Sequence, residues 1–541
     1  MLGKHNPQAS LYDVGNVWPL ELKQNSFYGQ LAGAADRLFS DEDFAVLYCD
    51  NNGRPSVPPS QLALMLLMQA HDLVSDAEAI EKSAYDLRWA AVLRRHAGEP
   101  FCAKSTLQLF RAQLVLHEEA KTIFKKSVQE AKRVGLLKGE ALTIALDTKP
   151  IEGRGAVEDT YNLLATGIGM LADALAKKQG KAKPEWLTEF GLGRYTAPSV
   201  KGSADIDWSD KAAKQSFLTE IVADAHKMLE WANGQGPEVK EAAELLEKLL
   251  LQDIEVGVDE SGAPAATIKE GTTPGRMPSA TDPEVRHGRK SKSKLFKGHK
   301  ASVATDIDSG IIVAIDVLAG DSADSNGALE MTQQAEEVTG IKVKESLGDC
   351  AYGGGATRKE FEEAARTLTA KVPQENANNG LFPKSAFTID LQDRTATCPG
   401  GQTTEMATEH PNGGITFYFD EFCQGCPLRA KCTTSALGRS LSVHPQEALL
   451  KAAREYQKTP EGKAHLRKRV IVENSLARLG HLGIGQALYT GRKKTRFQLA
   501  ISSTVANLRR AWNWSREESG RTGQSEGSQG MNAVGGQVCA A

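Results

Sequence analysis

Three carboxylates far apart in the chain, Asp147, Asp349 and Glu473, stand where their neighbours have no packing use for an acid. Asp147 ends the apolar run ALTIALD, Asp349 follows the apolar segment in ESLGDCAYGG, and Glu473 lies in RKRVIVENSLARL. The first two close expected strands, and the third sits on an expected helix whose 469, 473, 476, 477 and 480 positions share a face. Carboxylates that converge from strand ends make a hard-oxygen site for Mg²⁺ with room for a phosphate, the arrangement that suits phosphoryl transfer on nucleic acid. Each acid also has a plainer reading. Three of 68 acids can be unrelated. Asp147 can cap a turn over Thr148 to Pro150, and Glu473 can pair with Arg469 one helical turn earlier. Asp349 competes with Asp306, Asp316, Asp321 and Asp324; it is preferred because GDCAYGGG puts a Gly-rich turn after a strand, where backbone can approach a phosphate or metal.

The order of elements around these acids is that of a mixed α/β core. Pro59 and Ser60 open an apolar helix, Ser75 caps a second, and Ser105 or Thr106 caps a long third one, so that a helical head of about 100 residues precedes ALTIALD. Within it Arg88, Trp89, Lys104, Gln108 and Arg111 are candidate base readers in a helix-turn-helix-like unit, although a helical dimerisation unit has the same pattern. After the strand comes a charged helical excursion from Val157 to about Leu251, then a Gly/Pro/Ser/Thr-rich linker over 256–285. HKASVATDI and GIIVAIDVL flank Asp308-Ser309-Gly310 as a hairpin, and strand, helix and strand follow. The closing Gly/Ser-rich stretch reads as a disordered tail from 516 to 541.

At 541 residues the chain is too long for one core, and 40% apolar with 25% charged residues is ordinary for a soluble protein. No uncharged apolar stretch reaches 18 residues and the first residues lack an apolar signal core, so no membrane partner and a cytoplasmic protein are expected. The net charge of −3 hides a local excess of cations. Residues 286–300 carry seven Lys or Arg and no acid, and residues 462–510 carry eleven against Glu473 alone. Such runs can be solvated faces, but local potential is what attracts a polyanion. Arg289, Lys290, Lys292, Lys294, Arg469, Arg492, Lys493, Lys494 and Arg496 are the candidate phosphate contacts.

Of the eight cysteines, Cys398, Cys423, Cys426 and Cys432 form CPGG, CQGC and a final C. Four soft ligands with a CxxC knuckle suit one tetrahedral structural Zn²⁺; buried free thiols and an iron-sulfur cluster are the rivals. Cys49, Cys102, Cys350 and Cys539 have no partner spacing.

The words GRPSVPPSQLALMLLMQAHDLVSD, ALDTKPIEGRGAVEDTYNLL, DPEVRHGRKSK, FKGHKASVATDIDSGIIVAIDVLAGDSAD, GDCAYGG, CQGCPLRAKCT, RVIVENSLARL and GRKKTRFQLAISSTVANLRR together resemble the DDE transposases of bacterial insertion sequences, over roughly residues 40 to 512. The subgroup is the one with a Cys-bearing insertion. The resemblance implies an RNase H-like mixed-sheet core over 139–155, 285–395 and 437–515. It implies an N-terminal all-α DNA-binding domain over 1–138, a helical insertion over 156–284 and a small four-cysteine, zinc-ribbon-like insertion over 396–436. It implies Asp147, Asp349 and Glu473 as ligands of two Mg²⁺ or Mn²⁺ ions, strand cleavage and strand transfer at the element's ends, double-stranded DNA as partner, and a homodimer on DNA. One departure stands out. Related helices often carry a Tyr and a Lys with the Arg and Glu, and here Leu466 and Gly480 stand in their places. Arg478, His481 and the GRKK run are candidate replacements. That departure leaves a catalytically inactive DNA-binding descendant as an alternative, beside a metal-dependent nuclease.

Overall fold

The computed structural model describes the chain except residues 7, 9–12, 15–21, 24, 50–52, 259–261, 272, 292, 374–379 and 531–541, with side chains as far as 518. The head opens with α1 (Phe27–Leu38), capped by Ser26, whose hydroxyl accepts from the Gly29 amide. Helix α2 (Pro59–Asp72) buries most of its apolar sequence. In α3 (Asp76–Tyr85) the Ser75 hydroxyl accepts from the Glu78 amide while the Ser75 amide donates to the Glu78 carboxylate, a reciprocal cap that the sequence advertised. Asp86 ends α3 and caps α4 (Leu87–Val92). The expected single third helix is two, α5 (Lys104–Leu116) and α6 (Ala120–Arg133). The break is at Glu118, whose φ of 57° cannot continue a right-handed helix, and the residue before α5 is Ala103 rather than Ser105 or Thr106.

Among the described residues the main sheet has six strands. At its centre lies β1 (Ala141–Glu152), antiparallel on one side to β5 (Leu295–Asp306) and parallel on the other to β7 (Lys342–Gly348). Beyond β5 lies β6 (Ile312–Ala319), with β4 (Arg286–Arg289) extending the same edge, and beyond β7 lies β8 (Leu368–Ala370). The β5–β6 hairpin turns where the sequence placed it: Gly310 has φ 70°, and the Ser309 amide and hydroxyl both donate to Asp306. Helices α10 (Ala328–Thr339) and α11 (Gly355–Glu363) link β6 to β7 and β7 to β8.

Between β1 and β4 the chain leaves the sheet to form a lobe with its own apolar core, built on α7 (Thr160–Lys178), α8 (Lys211–Ala232) and α9 (Pro237–Asp253). Part of the expected linker is instead a hairpin, β2 (Ile254–Val258) with β3 (Pro264–Ile268). It docks on α8 through an Ala266 amide that donates to Thr219. The lobe enters and leaves at one place: a Cβ at Gly155 would meet Ser279 and Asp282, and the Glu158 amide donates to the Pro278 carbonyl.

After β8 two three-stranded sheets, β9 (Thr388–Asp390), β10 (Thr395–Thr397) and β11 (Thr403–Thr404), then β12 (Ala407–Glu409), β13 (Ile415–Tyr418) and β14 (Ser440–Val443), carry a third small core. This core includes Phe387 and Val443, so the module is wider than 396–436. Helices α12 (Glu447–Tyr456), α13 (Pro460–Arg467), α14 (Val470–His481) and α15 (Arg492–Gly530) complete the chain. A disordered tail was expected from 516, yet α15 continues to Gly530. Residues 531–541, with Cys539, lie outside the described residues.

The head and the sheet share one apolar core, so residue 138 does not separate two. Helix α15 is the reason. Its Asn507 amide group donates to the Ile312 carbonyl and the Ser127 hydroxyl and accepts from the Ile312 amide, fastening β6 to α6. Five residues on, Trp512 donates to buried Glu130 at 2.9 Å and packs against Phe27.

Candidate active site

Asp147 lies in mid-strand rather than at a strand end. β1 pairs with β7 only over its first half, through Ala145 opposite Leu347, while its second half stays paired with β5 as far as Glu152. Extending the parallel register by two residues sets Asp147 level with Asp349, which opens the turn after β7. Asp349 accepts a hydrogen bond from the Ala351 amide at 2.8 Å, and the Tyr352 amide closes the turn on the Asp349 carbonyl at 3.2 Å. A Cβ at Gly348 would lie 2.6 Å from that of Tyr352, so only glycine lets the tyrosine, 1% exposed, fold in beneath the aspartate. Burial first, then the charges of Asp147, Asp324 and Asp349, keep the Tyr352 phenol protonated far above its ordinary range.

Glu473 reaches the same place from the first turn of α14, where a negative charge complements the helix dipole. Arg469, the residue before α14, joins two of the three acids: its guanidinium lies 3.0 Å from Glu473 and 3.7 Å from Asp147. The expected helical pair of Glu473 with Arg469 is present, and the same guanidinium is also a partner of Asp147. Burial pushes the Asp147 carboxyl up to about 6; the Thr148 amide and Arg469 oppose this, while the like charges of Asp349 and Glu473 add to it. Three of the four competitors have other partners, although the charge of Asp324 still reaches Tyr352. Asp306 caps the hairpin, Asp316 pairs with Arg496, Asp324 pairs with Lys300 at 2.7 Å, and Asp321 lies exposed in a turn.

The departures on the helix have physical counterparts. Leu466 is 3% exposed in the protein interior, where a tyrosine hydroxyl would have to find a partner. At Gly480 a Cβ would stand 2.6 Å from the Lys149 amine, so a lysine from β1 fills the space that the missing side chain leaves. Arg478 is no replacement: it donates to the Gly310 carbonyl at 2.6 Å and to Ser475 at 2.8 Å, and burial with Arg510 nearby lowers it to about 10. Lys149 was missed by sequence reasoning. Its signal was a spacing of two from Asp147 on a strand, which puts both side chains on one face.

Of the candidate phosphate contacts, Arg289, Lys290 and Lys294 are exposed at the tip of the β4–β5 ribbon, where the Lys290 amide donates to the Lys294 carbonyl. Lys292 lies outside the described residues. At the start of α15 Lys493 and Lys494 are exposed, Arg492 pairs with Glu284 at 3.2 Å and Arg496 with Asp316. The candidate base readers of the head are mostly structural. Trp89 is fully buried and donates to Asp72; Arg111, 9% exposed, donates to Asp76 and Gln69; Gln108 also donates to Asp76, and Arg88 pairs with Asp86 over the Tyr28 ring. Lys104 alone of the five is exposed without such a tie among the described residues.

Cys398, Cys423, Cys426 and Cys432 line one small cavity with Phe419 and Arg439. The Gly400 backbone comes close enough that a Cβ there would be 3.5 Å from the Cys398 sulfur and 3.7 Å from that of Cys426. The Cys432 thiol is pushed up by burial. Among the described residues no group of three or more His, Cys, Asp or Glu is drawn together tightly enough to hold a metal ion, here or at the acidic trio. Among them, too, no helix is long and apolar enough to cross a membrane.

Two comparisons with known families bear on the chain. Residues 397–512 match the family described as transposase DDE domain, and residues 20–113 match the one described as transposase domain (DUF772). The first stretch contains the thiols, Arg469 and Glu473; neither contains Asp147 or Asp349. No curated protein and no solved structure matches.

Proposed function

The chain belongs to the insertion-sequence DDE transposases, and on that premise we propose that Asp147, Asp349 and Glu473 are its catalytic carboxylates. In this reading they hold two Mg²⁺ or Mn²⁺ ions for DNA strand cleavage and strand transfer at the element's ends. The observation that carries it is the convergence of three acids from β1, the turn after β7 and α14 on a partly buried site, where Asp147 already resists ionising. A cluster of like charges is unfavourable until cations join it, and hard oxygens are the donors that Mg²⁺ accepts. Arg469 supplies part of the countercharge in the absence of metal. When bound, the divalent pair supplies Lewis acidity to a water or 3′-hydroxyl and to the leaving oxygen.

The protein's own groups orient and hold. The β1–β7 pairing, which ends at Ala145 and Leu347, leads Asp147 and Asp349 out of adjacent strands, α14 presents Glu473, and buried Tyr352 packs against Gly348 before Asp349. Arg289, Lys290, Lys294, Lys493 and Lys494 grip phosphates, and Arg492 and Arg496 join them by exchanging a carboxylate for a phosphate. The strand order, an antiparallel trio β6-β5-β1 continued by parallel β7 and β8, is what an RNase H-like core requires. The four thiols hold one structural Zn²⁺, the soft ion that suits them. Two element ends must be joined, so the working form is a homodimer on DNA.

Asp147→Asn tests the assignment. On duplex DNA carrying the sequences that flank the coding region, with Mg²⁺ or Mn²⁺, the variant is expected to bind as the parent does and to cut at least about 10³-fold more slowly. Cutting at the parent rate would overturn it. An intact trio favours this enzyme over a non-catalytic descendant, a reading that rests on Leu466 and Gly480.

A further inference from the structure

We propose that Lys149 is a phosphate-gripping residue of the active site, standing where α14 has only Gly480; the inference rests on the transposase reading above. Lys149 and Asp147 are two apart on β1, so both project from the same face of the sheet, the face that α14 crosses. Its amine donates to the Leu476 carbonyl of α14 at 3.3 Å and occupies the volume that any side chain at 480 would need. Among the described residues no carboxylate lies within ion-pair distance of it, although Asp147 is two positions away on β1 and Glu473 is three positions before its partner Leu476 on α14. An ammonium with one backbone acceptor has two donors left. The Lys290 end of the basic ribbon is near enough for its charge to act on Lys149.

A structural role alone explains this poorly. A half-buried lysine that served only packing would be replaced at no loss by an apolar side chain, and nothing in its surroundings neutralises it. A DNA phosphate drawn to the acidic trio does. Lys149 would then hold the strand's backbone close to the carboxylates while Arg469 remains tied to two of them, and the glycine at 480 is what leaves the lysine room.

The test uses full-length protein, a fluorescently labelled duplex from the DNA that immediately flanks the coding region, and three variants: Lys149→Ala, Lys149→Met, and Lys149→Ala combined with Gly480→Lys. Affinity is measured against salt concentration and cleavage is followed with Mn²⁺. Both single variants are expected to lower the slope of log affinity against log salt by about one. Their cleavage is expected to fall on the order of 10²-fold. The double variant returns a cation to the same space from the helix side, and it is expected to recover most of both. Lys149→Met keeps the stem, and thermal melts identify a variant that fails through folding. Parent-like slope and cleavage in both single variants, or no recovery in a stably folded double variant, would overturn the role of Lys149. If the parent cuts no flanking duplex at all, the transposase reading itself falls, a result separable from parent cleavage that Lys149→Met leaves unchanged.

Discussion

At the scale of single residues, the candidate active site is written in charges placed where hydrophobicity predicts none. Asp147 stood out at the end of an apolar run and Asp349 by the Gly-rich turn after a strand, whereas the family resemblance singled out Glu473 over a plain pair with Arg469. Lys149 was legible only in part, through its spacing of two from Asp147 on one strand. Its place is defined by the absence of a side chain at Gly480, 331 positions further along (480 less 149), and no local pattern records such a relation. The trio also has a consequence for stability. With metal removed, Asp147 titrates at about 6 rather than at its ordinary 3.8 or so, because burial and like charges disfavour the ion. The folded state therefore binds that proton more tightly than the unfolded chain. Its contribution is fully present below about pH 4 and is lost as pH rises through about 6. Asp147→Asn cannot ionise, so in EDTA it is expected to melt about 2–4 °C above the parent at pH 7 to 8 and to show no advantage at pH 4. An equal shift at both values would show that ionisation is not the cause.

At the scale of elements, local chemistry predicted starts and turns better than lengths. The Ser75 cap and the Asp308-Ser309-Gly310 turn are where side chains meet backbone nearby, and such contacts depend only on neighbours. The break at Glu118 is different, since helical periodicity continues through it and only the packing of α5 and α6 against the rest of the head selects the left-handed residue. Arg111 misled for a related reason: a cation on a helix looks solvated until Asp76 and Gln69, both more than 30 positions away, close over it. The Cys module shows what a small element needs. Its core is a handful of residues, among them Phe387, Phe417, Phe419 and Leu441 together with Cys423 and Cys432, little to hold two three-stranded sheets. With zinc bound, Cys423→Ser is expected to lower soluble yield and thermal stability while leaving the acidic trio's chemistry to the protein that still folds. Metal analysis should give about one zinc per chain; no zinc together with four freely titrating thiols would sink the assignment.

At the scale of the whole molecule, three apolar cores divide the labour unequally. The helical lobe keeps a core of its own and meets the sheet at a neck formed by Gly155, Ser279 and Asp282. Replacing residues 157–279 by a short Gly/Ser loop should therefore leave a soluble protein that melts cooperatively; aggregation of that deletion would mean the lobe supports the sheet. The head has no such independence. The family resemblance implied a separate unit ending at 138, and the apolar positions of the head helices fall at helical spacing. Amphipathicity says that a face is covered, however, not by what, and the cover is α15. During synthesis the last residue of α6 is made 359 positions before the first of α15 (492 less 133). At ordinary translation speeds that interval lasts roughly 20–70 s. For that time the nascent head must wait beside the ribosome with the surfaces around Phe27 and Glu130 uncovered, a window in which chaperones and growth temperature, more than the sequence of the head itself, govern how many chains reach the native state.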